Sequence, residues 1–155
     1  MRFDSLTQEP KVLLGGCSDD RLPFLAFVEQ ELMLPEGFYF PLRLAGGLSP
    51  LAHKNEVPDD FKSTLKAVKF PMDHRPSITT GIILEHAFCG YRQECLPSDL
   101  VHNGIEDLDI IADVLFGNFP QFTQIQLWFA DLINGGKTWD FSKIKVVESQ
   151  QVCRI

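Results

Sequence analysis

The sequence lacks the features of a membrane protein, a secreted protein or a nucleic-acid binder. None of its apolar runs approaches the roughly 20 residues that cross a bilayer, and residues 1–10 carry Asp4 and Glu9 where a signal peptide needs an apolar stretch. Basic residues are the minority, with 14 Lys and Arg against 21 Asp and Glu and a net charge of −7. This acidity disfavours binding to a phosphate backbone. We therefore expect a soluble, cytoplasmic protein.

Cysteine is also scarce, with four in 155 residues. In a chain without secretory features, so few cysteines favour metal ligands or buried thiols over a disulfide framework. The hydrophobic content of 45% is enough for one sizeable core. The length and composition predict a single domain over residues 1–155.

Short apolar runs alternate with segments of helical periodicity over the first two-thirds of the chain. Strands are predicted at 11–16, 38–44, 78–84, 122–132 and 144–147, and helices at 22–34, 59–70 and 97–119. This alternation predicts an α/β fold, with a mostly parallel central sheet of about four to five strands, flanking helices and a C-terminal edge strand. Pro41 favours an edge position or an irregularity for the second strand.

The polar and proline-containing segments predict the connections and helix ends. Residues 48–58 are expected to form an exposed loop. Asp59 or Asp60 is expected to cap the second helix, and Pro71 to end its pattern. Ser98 is a plausible cap for the last helix.

Two groups of metal-binding residues follow predicted strands. Cys17 follows the first strand, and His86 and Cys89 follow the third. Ligand sites in parallel sheets collect at the carboxyl ends of strands, so these residues can meet if their strands are neighbours. Two thiolates and one imidazole suit zinc and leave its fourth position open, as catalytic zinc sites do. The alternatives are buried thiols with a core histidine, or a closed structural site with Cys95 as fourth ligand.

Three motifs, in this order and each after a predicted strand, resemble those of the β-class carbonic anhydrases: Cys17-x-Asp19-x-Arg21, Arg43-x-Ala45-Gly46 and His86-x-x-Cys89-Gly90. The resemblance covers about residues 11–91. It implies a β-carbonic anhydrase-like fold with Zn²⁺ bound by Cys17, His86 and Cys89, and with Asp19 and Arg21 as a catalytic dyad. It also implies reversible hydration of CO2 to bicarbonate by zinc-bound hydroxide, in a homodimer or higher homo-oligomer with its sites near the subunit boundary.

Electrostatics supports the roles that this resemblance implies. Zinc lowers the pKa of a bound water, but two thiolates neutralise the ion and weaken that effect. Asp19 can accept a hydrogen bond from the hydroxide and orient it toward the substrate carbon. Arg21 can offset the charge of this carboxylate. The same carboxylate could instead occupy the fourth zinc position and switch the enzyme off.

Two residues and one interval depart from the family's usual pattern. Leu44 replaces an asparagine, and Glu85 replaces the glycine before the ligand histidine. Glu85 could orient His86 or add a charge that disfavours hydroxide. The interval from Cys17 to His86 is longer than usual and fits an insertion at 48–58 or 72–76, which could form a lid.

Other functions remain open at this point. The same chemistry would hydrolyse COS or CS2, and a non-catalytic scaffold stabilised by zinc would keep the fold without turnover. Redox chemistry by Cys17 and Cys89 is a third possibility, although they do not form a Cys-x-x-Cys pair.

Several polar residues have ordinary structural explanations as well as functional ones. Asp19 and Arg21 could form a helix-start ion pair. Arg43 could pair with a strand end, support a dimer or bind substrate. The histidines could be surface residues or could shuttle protons to solvent: His53, His74 and His102.

Overall fold

A computed structural model describes residues 9–101 and 104–149. The strands are β1 (Val12–Cys17), β2 (Tyr39–Leu44), β3 (Thr80–His86), β4 (Gln124–Ile133) and β5 (Thr138–Glu148). The α-helices are α1 (Phe24–Ala26), α2 (Pro58–His74), α3 (Gly90–Cys95) and α4 (Ile105–Asn118). A π-helical segment, Phe27–Leu32, continues α1, and short 3₁₀ helices occupy Ser49–Ala52 and Ser98–Leu100.

The five strands form one sheet in the order β2-β1-β3-β4-β5. The first four are parallel, and β5 runs antiparallel to β4 at the edge. This arrangement confirms the predicted α/β fold with its C-terminal edge strand. It also places β2, which contains Pro41, at the opposite edge, where a missing N–H disrupts least. Among the described residues, no helix has the length and apolarity needed to cross a bilayer.

The central strands are buried on both faces, so their adjacent apolar residues serve two cores. Leu13 and Ile83 point toward α2 and α4, where they join Ile111 in one cluster. Their neighbours Leu14 and Leu84 point to the other face and join a second cluster. A sheet covered on both sides holds β1 and β3 firmly in register, with Gly16 opposite Leu84.

The first half of the segment predicted as an exposed loop, residues 48–53, is part of the core instead, whereas residues 54–58 are mostly exposed. Leu48 and Leu51 are 0% and 1% exposed, and Ser49 between them is also buried. The segment packs against α2 and α4. The apolar side chains gain more from leaving water than the polar neighbours lose, so the first half of the lid suggested at 48–58 is instead a packed 3₁₀ segment.

Helix α2 differs from its prediction at both ends. Its N-cap residue is Val57, whereas Asp59 and Asp60 lie in the first turn and make no capping bond. The helix also continues through Pro71 to His74. The buried face of the helix, which includes Pro71 itself, offsets the hydrogen bond that proline removes. Most of the second suggested insertion, 72–76, therefore belongs to a regular helix.

The predicted helix at 22–34 is only partly α-helical. It changes to π-helical hydrogen bonding at Phe27, and Met33 ends it in the left-handed region with φ 51°. Sequence periodicity does not distinguish these two helix types over so short a segment.

The predicted helix at 97–119 is interrupted. Ser98 begins a short 3₁₀ helix, and α4 starts later with Gly104 as its N-cap residue. Helix α3 was not predicted, because its six residues are too few for periodicity to indicate a helix. Strand β5 begins at Thr138, earlier than predicted, directly after the turn at Asn134-Gly135-Gly136.

Candidate metal centre

The candidate ligands lie at the carboxyl ends of two neighbouring strands. Cys17 is the last residue of β1, and His86 is the last residue of β3. Cys89 follows three residues later as the N-cap residue of α3. Because β1 and β3 pair in parallel, their ends bring the two sequence motifs together, as the sequence predicts.

The three ligand groups form a compact, buried cluster. One ligand atom from each of Cys17, His86 and Cys89 lies within 4.8 Å of the others. The two Sγ atoms are 3.9 Å apart. Two thiolates on one tetrahedral zinc lie roughly 3.8 Å apart when each Zn–S bond is about 2.3 Å, so this spacing fits the ion.

The imidazole of His86 is oriented as a metal ligand requires. Its Nδ1 donates a hydrogen bond to the carbonyl oxygen of Ala87 at 2.8 Å, which leaves the lone pair on Nε2. Nε2 is buried and has no hydrogen-bond partner among the described residues. The ring of Trp139 packs edge-on against the imidazole, with centroids 5.7 Å apart. A buried, unpartnered acceptor beside two thiols fits a soft metal cation.

The two thiols strongly influence each other's ionisation. The hydrogen bond from Cys89 lowers the pKa of Cys17, and the same contact raises the pKa of Cys89. The contact is an Sγ–H hydrogen bond in which either sulfur can supply the proton. A bound cation would replace that proton, because thiolates rather than thiols bind metals.

Asp19 and Arg21 form a two-pronged ion pair beside the cluster. The guanidinium donates from Nε to Oδ1 at 3.0 Å and from Nη2 to Oδ2 at 2.6 Å, and the Arg21 backbone N–H also donates to Oδ1. These hydrogen bonds from Arg21 lower the pKa of Asp19 to about 2. Asp19 Oδ2 lies 4.0 Å from His86 Nε2, so an ionised carboxylate borders the ligand cluster.

Two arginines hold the backbone around this pair. Arg21 donates a further hydrogen bond to the carbonyl of Phe88 at 3.1 Å. Arg43 donates to the carbonyls of Cys17 and Asp19 at 3.1–3.2 Å and lies over the Phe24 ring. Of the roles considered for Arg43, these contacts match strand-end pairing.

The other candidate residues lie outside the ligand cluster. Cys95 is exposed and does not belong to it, so the structure does not bring Cys95 to the fourth position. His74 is exposed, His102 lies outside the described residues, and His53 is 5% exposed, which makes its interpretation as a surface residue wrong. Its ring nitrogen Nε2 contacts Asp107 Oδ2 at 2.6 Å.

The Glu85 side chain does not contact the His86 ring directly, because adjacent residues of a strand point to opposite faces. Its carboxylate is fully buried and accepts hydrogen bonds from the Leu48 backbone N–H at 3.1 Å and the Ser49 hydroxyl at 2.8 Å. Burial raises its pKa to about 7. The sequence did not predict the buried partners of this carboxylate, which are Ser49 directly and Arg92 through Ser49. The one signal for Ser49 was its position among the apolar residues of 48–51.

Two cavities border the ligand cluster. One, of about 480 Å³, is lined by Cys17, Asp19, Gly46 and Tyr91 among others. The other, of about 410 Å³, is lined by residues that include His86 and Cys89. Open space therefore adjoins both the ligand cluster and the Asp19 carboxylate.

The fold and this site define the protein as an α/β chain with a Cys-His-Cys centre at the end of a parallel sheet. The fold is that of the β-carbonic anhydrases. The chain is similar to isoform I from Trichomonas vaginalis, with a TM-score of 0.59 and 16% identity over 92% of this chain and 87% of that one. It is also similar to CafA of Aspergillus fumigatus, with a TM-score of 0.53 and 18% identity over 89% and 76%. For a tetrameric enzyme of Sordaria macrospora, the TM-score is 0.51 and the identity 16% over 90% and 83%.

The sequence itself matches no protein-family model and no curated protein. At identities of 16–18%, the similarity establishes the fold. It confirms the fold that the three motifs implied.

Proposed function

We propose that this protein is a zinc-dependent carbonic anhydrase that converts CO2 and water reversibly into bicarbonate and a proton. The observation that carries the proposal is the meeting of the Cys17, His86 and Cys89 cluster with the Asp19–Arg21 ion pair. A similar site on a different fold would indicate only a metal centre. On the fold of β-carbonic anhydrases, it supports a CO2-hydrating one.

Cys17 Sγ, Cys89 Sγ and His86 Nε2 would hold the zinc ion. When bound there, zinc supplies a Lewis acid that lowers the pKa of a water and makes it a nucleophile near neutral pH. Three protein ligands leave room for that water. The hydrogen bond from Nδ1 to Ala87 fixes the tautomer and the orientation of the His86 ring, so that the lone pair on Nε2 faces the site.

Asp19 and Arg21 prepare the reacting water and the charge around it. Arg21 keeps the Asp19 carboxylate ionised, so Asp19 accepts a hydrogen bond from the water and directs an oxygen lone pair at the carbon of CO2. The Arg21 guanidinium also compensates the negative charge of the Asp19 carboxylate, which lies beside two thiolates. Without this compensation, the carboxylate would oppose removal of the proton from the water.

We also propose a homo-oligomer and a cytoplasmic location. The Sordaria macrospora enzyme is tetrameric, which supports a homodimer or a higher assembly of this chain. Phe88, beside the ligands, is 61% exposed, as expected if the site lies near a subunit boundary. The unpaired thiols of Cys17, Cys89 and Cys95 suit a reducing compartment.

The test compares CO2 hydration by zinc-loaded wild type, Asp19→Asn and Asp20→Asn across neutral to alkaline pH. We expect Asp19→Asn to retain zinc and to lose kcat/KM by about 10²- to 10³-fold, the scale of losing one preorganised catalytic contact. Asp20 is exposed, so Asp20→Asn removes the same charge one residue away and should remain close to wild type.

Two outcomes would reject the proposal or its mechanism. A zinc-loaded wild type without CO2 hydration indicates a zinc-stabilised scaffold. Equal losses in Asp19→Asn and Asp20→Asn would attribute the effect to net charge rather than to the Asp19 contact.

A further inference from the structure

A second group of polar side chains is buried on the other face of the sheet from His86. Arg92 Nη1 donates to the Ser49 hydroxyl at 2.9 Å, and Ser49 donates to Glu85 Oε2 at 2.8 Å. Arg92 Nη1 also donates to Asp107 at 2.5 Å, and Asp107 contacts His53. All five residues are at most 6% exposed. Buried polar groups are costly unless they are paired, so a network of this size needs an explanation.

The direction of the hydrogen bonds is fixed by the groups involved. Arginine has only donors, so Ser49 must accept from Arg92 and can then donate its own proton to Glu85. The Leu48 backbone N–H donates to the other oxygen of Glu85. In its ionised form, Glu85 is thus the final acceptor of a one-way chain, and hydrogen bonds in such chains strengthen one another.

The backbone leaves space for this carboxylate. A Cβ atom on Gly47 would lie 2.9 Å from Glu85 Oε1, and Gly47 has a φ of +58°. A Cβ atom on Gly104 would lie 3.1 Å from Glu85 Cβ. Two glycines at close approach indicate a pocket that is shaped around Glu85. The chain therefore accommodates Glu85 at the position where the β-carbonic anhydrase pattern has glycine.

Each end of this hydrogen-bond chain adjoins a metal ligand. Glu85 directly precedes His86 on β3. Arg92 lies in the first turn of α3, whose N-cap residue is Cys89, and the carbonyl of Cys89 accepts the Gln93 N–H at 3.2 Å. A shift of Glu85 or Arg92 would therefore move a ligand through one short piece of backbone.

The segment 44–49, which contains Ser49, supports the third ligand, Cys17. The carbonyl of Leu44 accepts hydrogen bonds from the Ser18 and Gly47 N–H groups, both at 2.9 Å. A Cβ atom on Gly47 would lie 3.2 Å from the backbone nitrogen of Cys17. The segment that Glu85 holds through Leu48 and Ser49 thus packs directly behind Cys17.

We propose that Glu85, Ser49 and Arg92 are positioning residues of the metal centre, and that their hydrogen-bond chain sets the spacing of the three ligands. The proposal rests on metal binding by Cys17, His86 and Cys89, but not on the reaction performed there. The side chains of these three residues make no hydrogen bond to a ligand side chain, and only the backbone N–H of Arg92 faces the Cys89 thiol. They act through the backbone that carries the ligands, and they preorganise the site before the metal arrives.

The test measures metal binding rather than turnover. Zinc affinity is obtained by competition with a chromophoric chelator, and ligand geometry from the visible absorption of the Co²⁺-loaded protein. We expect Glu85→Gln and Ser49→Ala each to weaken zinc binding about tenfold or more, the scale on which outer partners affect metal sites. We also expect the Co²⁺ bands to shift, because the ligand spacing relaxes.

The matched control is Val68→Ala. Val68 is 0% exposed on α2 and belongs to the core on the same face, so this variant should lower the Tm without changing zinc affinity or the Co²⁺ spectrum. Glu85→Gln combined with Ser49→Ala should weaken zinc binding no more than the stronger single change, because both break one chain. If Glu85→Gln fails to fold, Ser49→Ala decides the question.

Two results separate this proposal from the proposed function. Variants of Glu85 and Ser49 that lose Tm as Val68→Ala does, yet keep wild-type zinc affinity and Co²⁺ bands, would overturn the positioning role. Weakened zinc binding in both variants, with no CO2 hydration by wild type, would support the positioning role and reject the carbonic anhydrase. A wild type that binds no zinc would overturn both.

Discussion

Two carboxylates lie beside the candidate metal ligands in sequence, and their surroundings give them different properties. Asp19 follows Cys17 by two residues and is bound directly by Arg21, whose side chain is 57% exposed. Glu85 precedes His86 by one residue, is fully buried, and is connected to Arg92 only through Ser49. The pKa of Asp19 is lowered to about 2 by Arg21, whereas that of Glu85 is raised to about 7 by burial.

The difference shows that a carboxylate can have two distinct roles beside the same cluster. Asp19 keeps its charge and remains 4.0 Å from the free nitrogen of His86, so it can interact with reacting atoms. Glu85 accepts hydrogen bonds from the core and cannot reach that side of the sheet. The first carboxylate is suited to chemistry and the second to holding the ligand framework. Substitutions that remove one feature at a time test whether the two carboxylates differ in this way.

The largest effect should come from His86→Ala, which removes the ligand that both carboxylates adjoin. We expect zinc bound per chain to fall from about one to near zero, because losing a ligand should cost more than the 10- to 100-fold that outer partners cost. Metal content after gel filtration measures this. The control is His74→Ala, since His74 is exposed at the end of α2. Equal zinc loss in both variants would show that His86 is not a ligand.

The second effect is a pH dependence that differs in sign between the carboxylates. The folded-state pKa of Glu85 lies above its ordinary value of 4.5, so its contribution to stability is full below pH 4.5 and is lost as pH rises through about 7. We expect wild type to exceed Glu85→Gln in unfolding free energy by more at pH 5 than at pH 8. The change should be up to about 3 kcal/mol. Urea unfolding of the zinc-free proteins measures it.

Asp19→Asn is the matched comparison for this pH series. The folded-state pKa of Asp19 lies below its ordinary 3.8, so its contribution is present above 3.8 and is lost only as pH falls toward about 2. The difference between wild type and Asp19→Asn should therefore stay constant from pH 5 to 8, and below about 1 kcal/mol because Arg21 is largely exposed. A constant difference for Glu85→Gln as well would contradict the contrast between the two environments.

The sequence predicted the surroundings of Asp19, because they depend on local motifs. Cys17, Asp19 and Arg21 lie within five residues, and both strands before the ligands are apolar. Parallel pairing of those strands was enough to bring His86 to Cys17. The fold was predictable for the same reason, since strand and helix periodicity is a local signal.

The hydrogen-bond chain around Glu85 could not be predicted in this way. Ser49 and Arg92 are separated by 43 positions and meet only because the 3₁₀ segment at Ser49–Ala52 packs into the core. Polar residues near glycines favour a loop in any local rule, so the segment was expected to be exposed. Its two leucines determined its burial, and burial then gave the polar residues beside them their partners.

The smallest effect should come from Phe88→Gly. This substitution tests how the backbone at Phe88 supports the Asp19–Arg21 pair. Phe88 has a φ of 55° and is 61% exposed, so its backbone is strained while its ring packs little. Its carbonyl accepts the third hydrogen bond of Arg21. Glycine adopts this conformation without strain and keeps the carbonyl, so we expect a gain in unfolding free energy of up to about 1 kcal/mol. Phe88→Ala, which loses the ring but keeps the strain, should show no gain in the same urea titration. Destabilisation by both changes would mean that the ring itself stabilises the site, and that Arg21 is held by more than the carboxylate and this carbonyl.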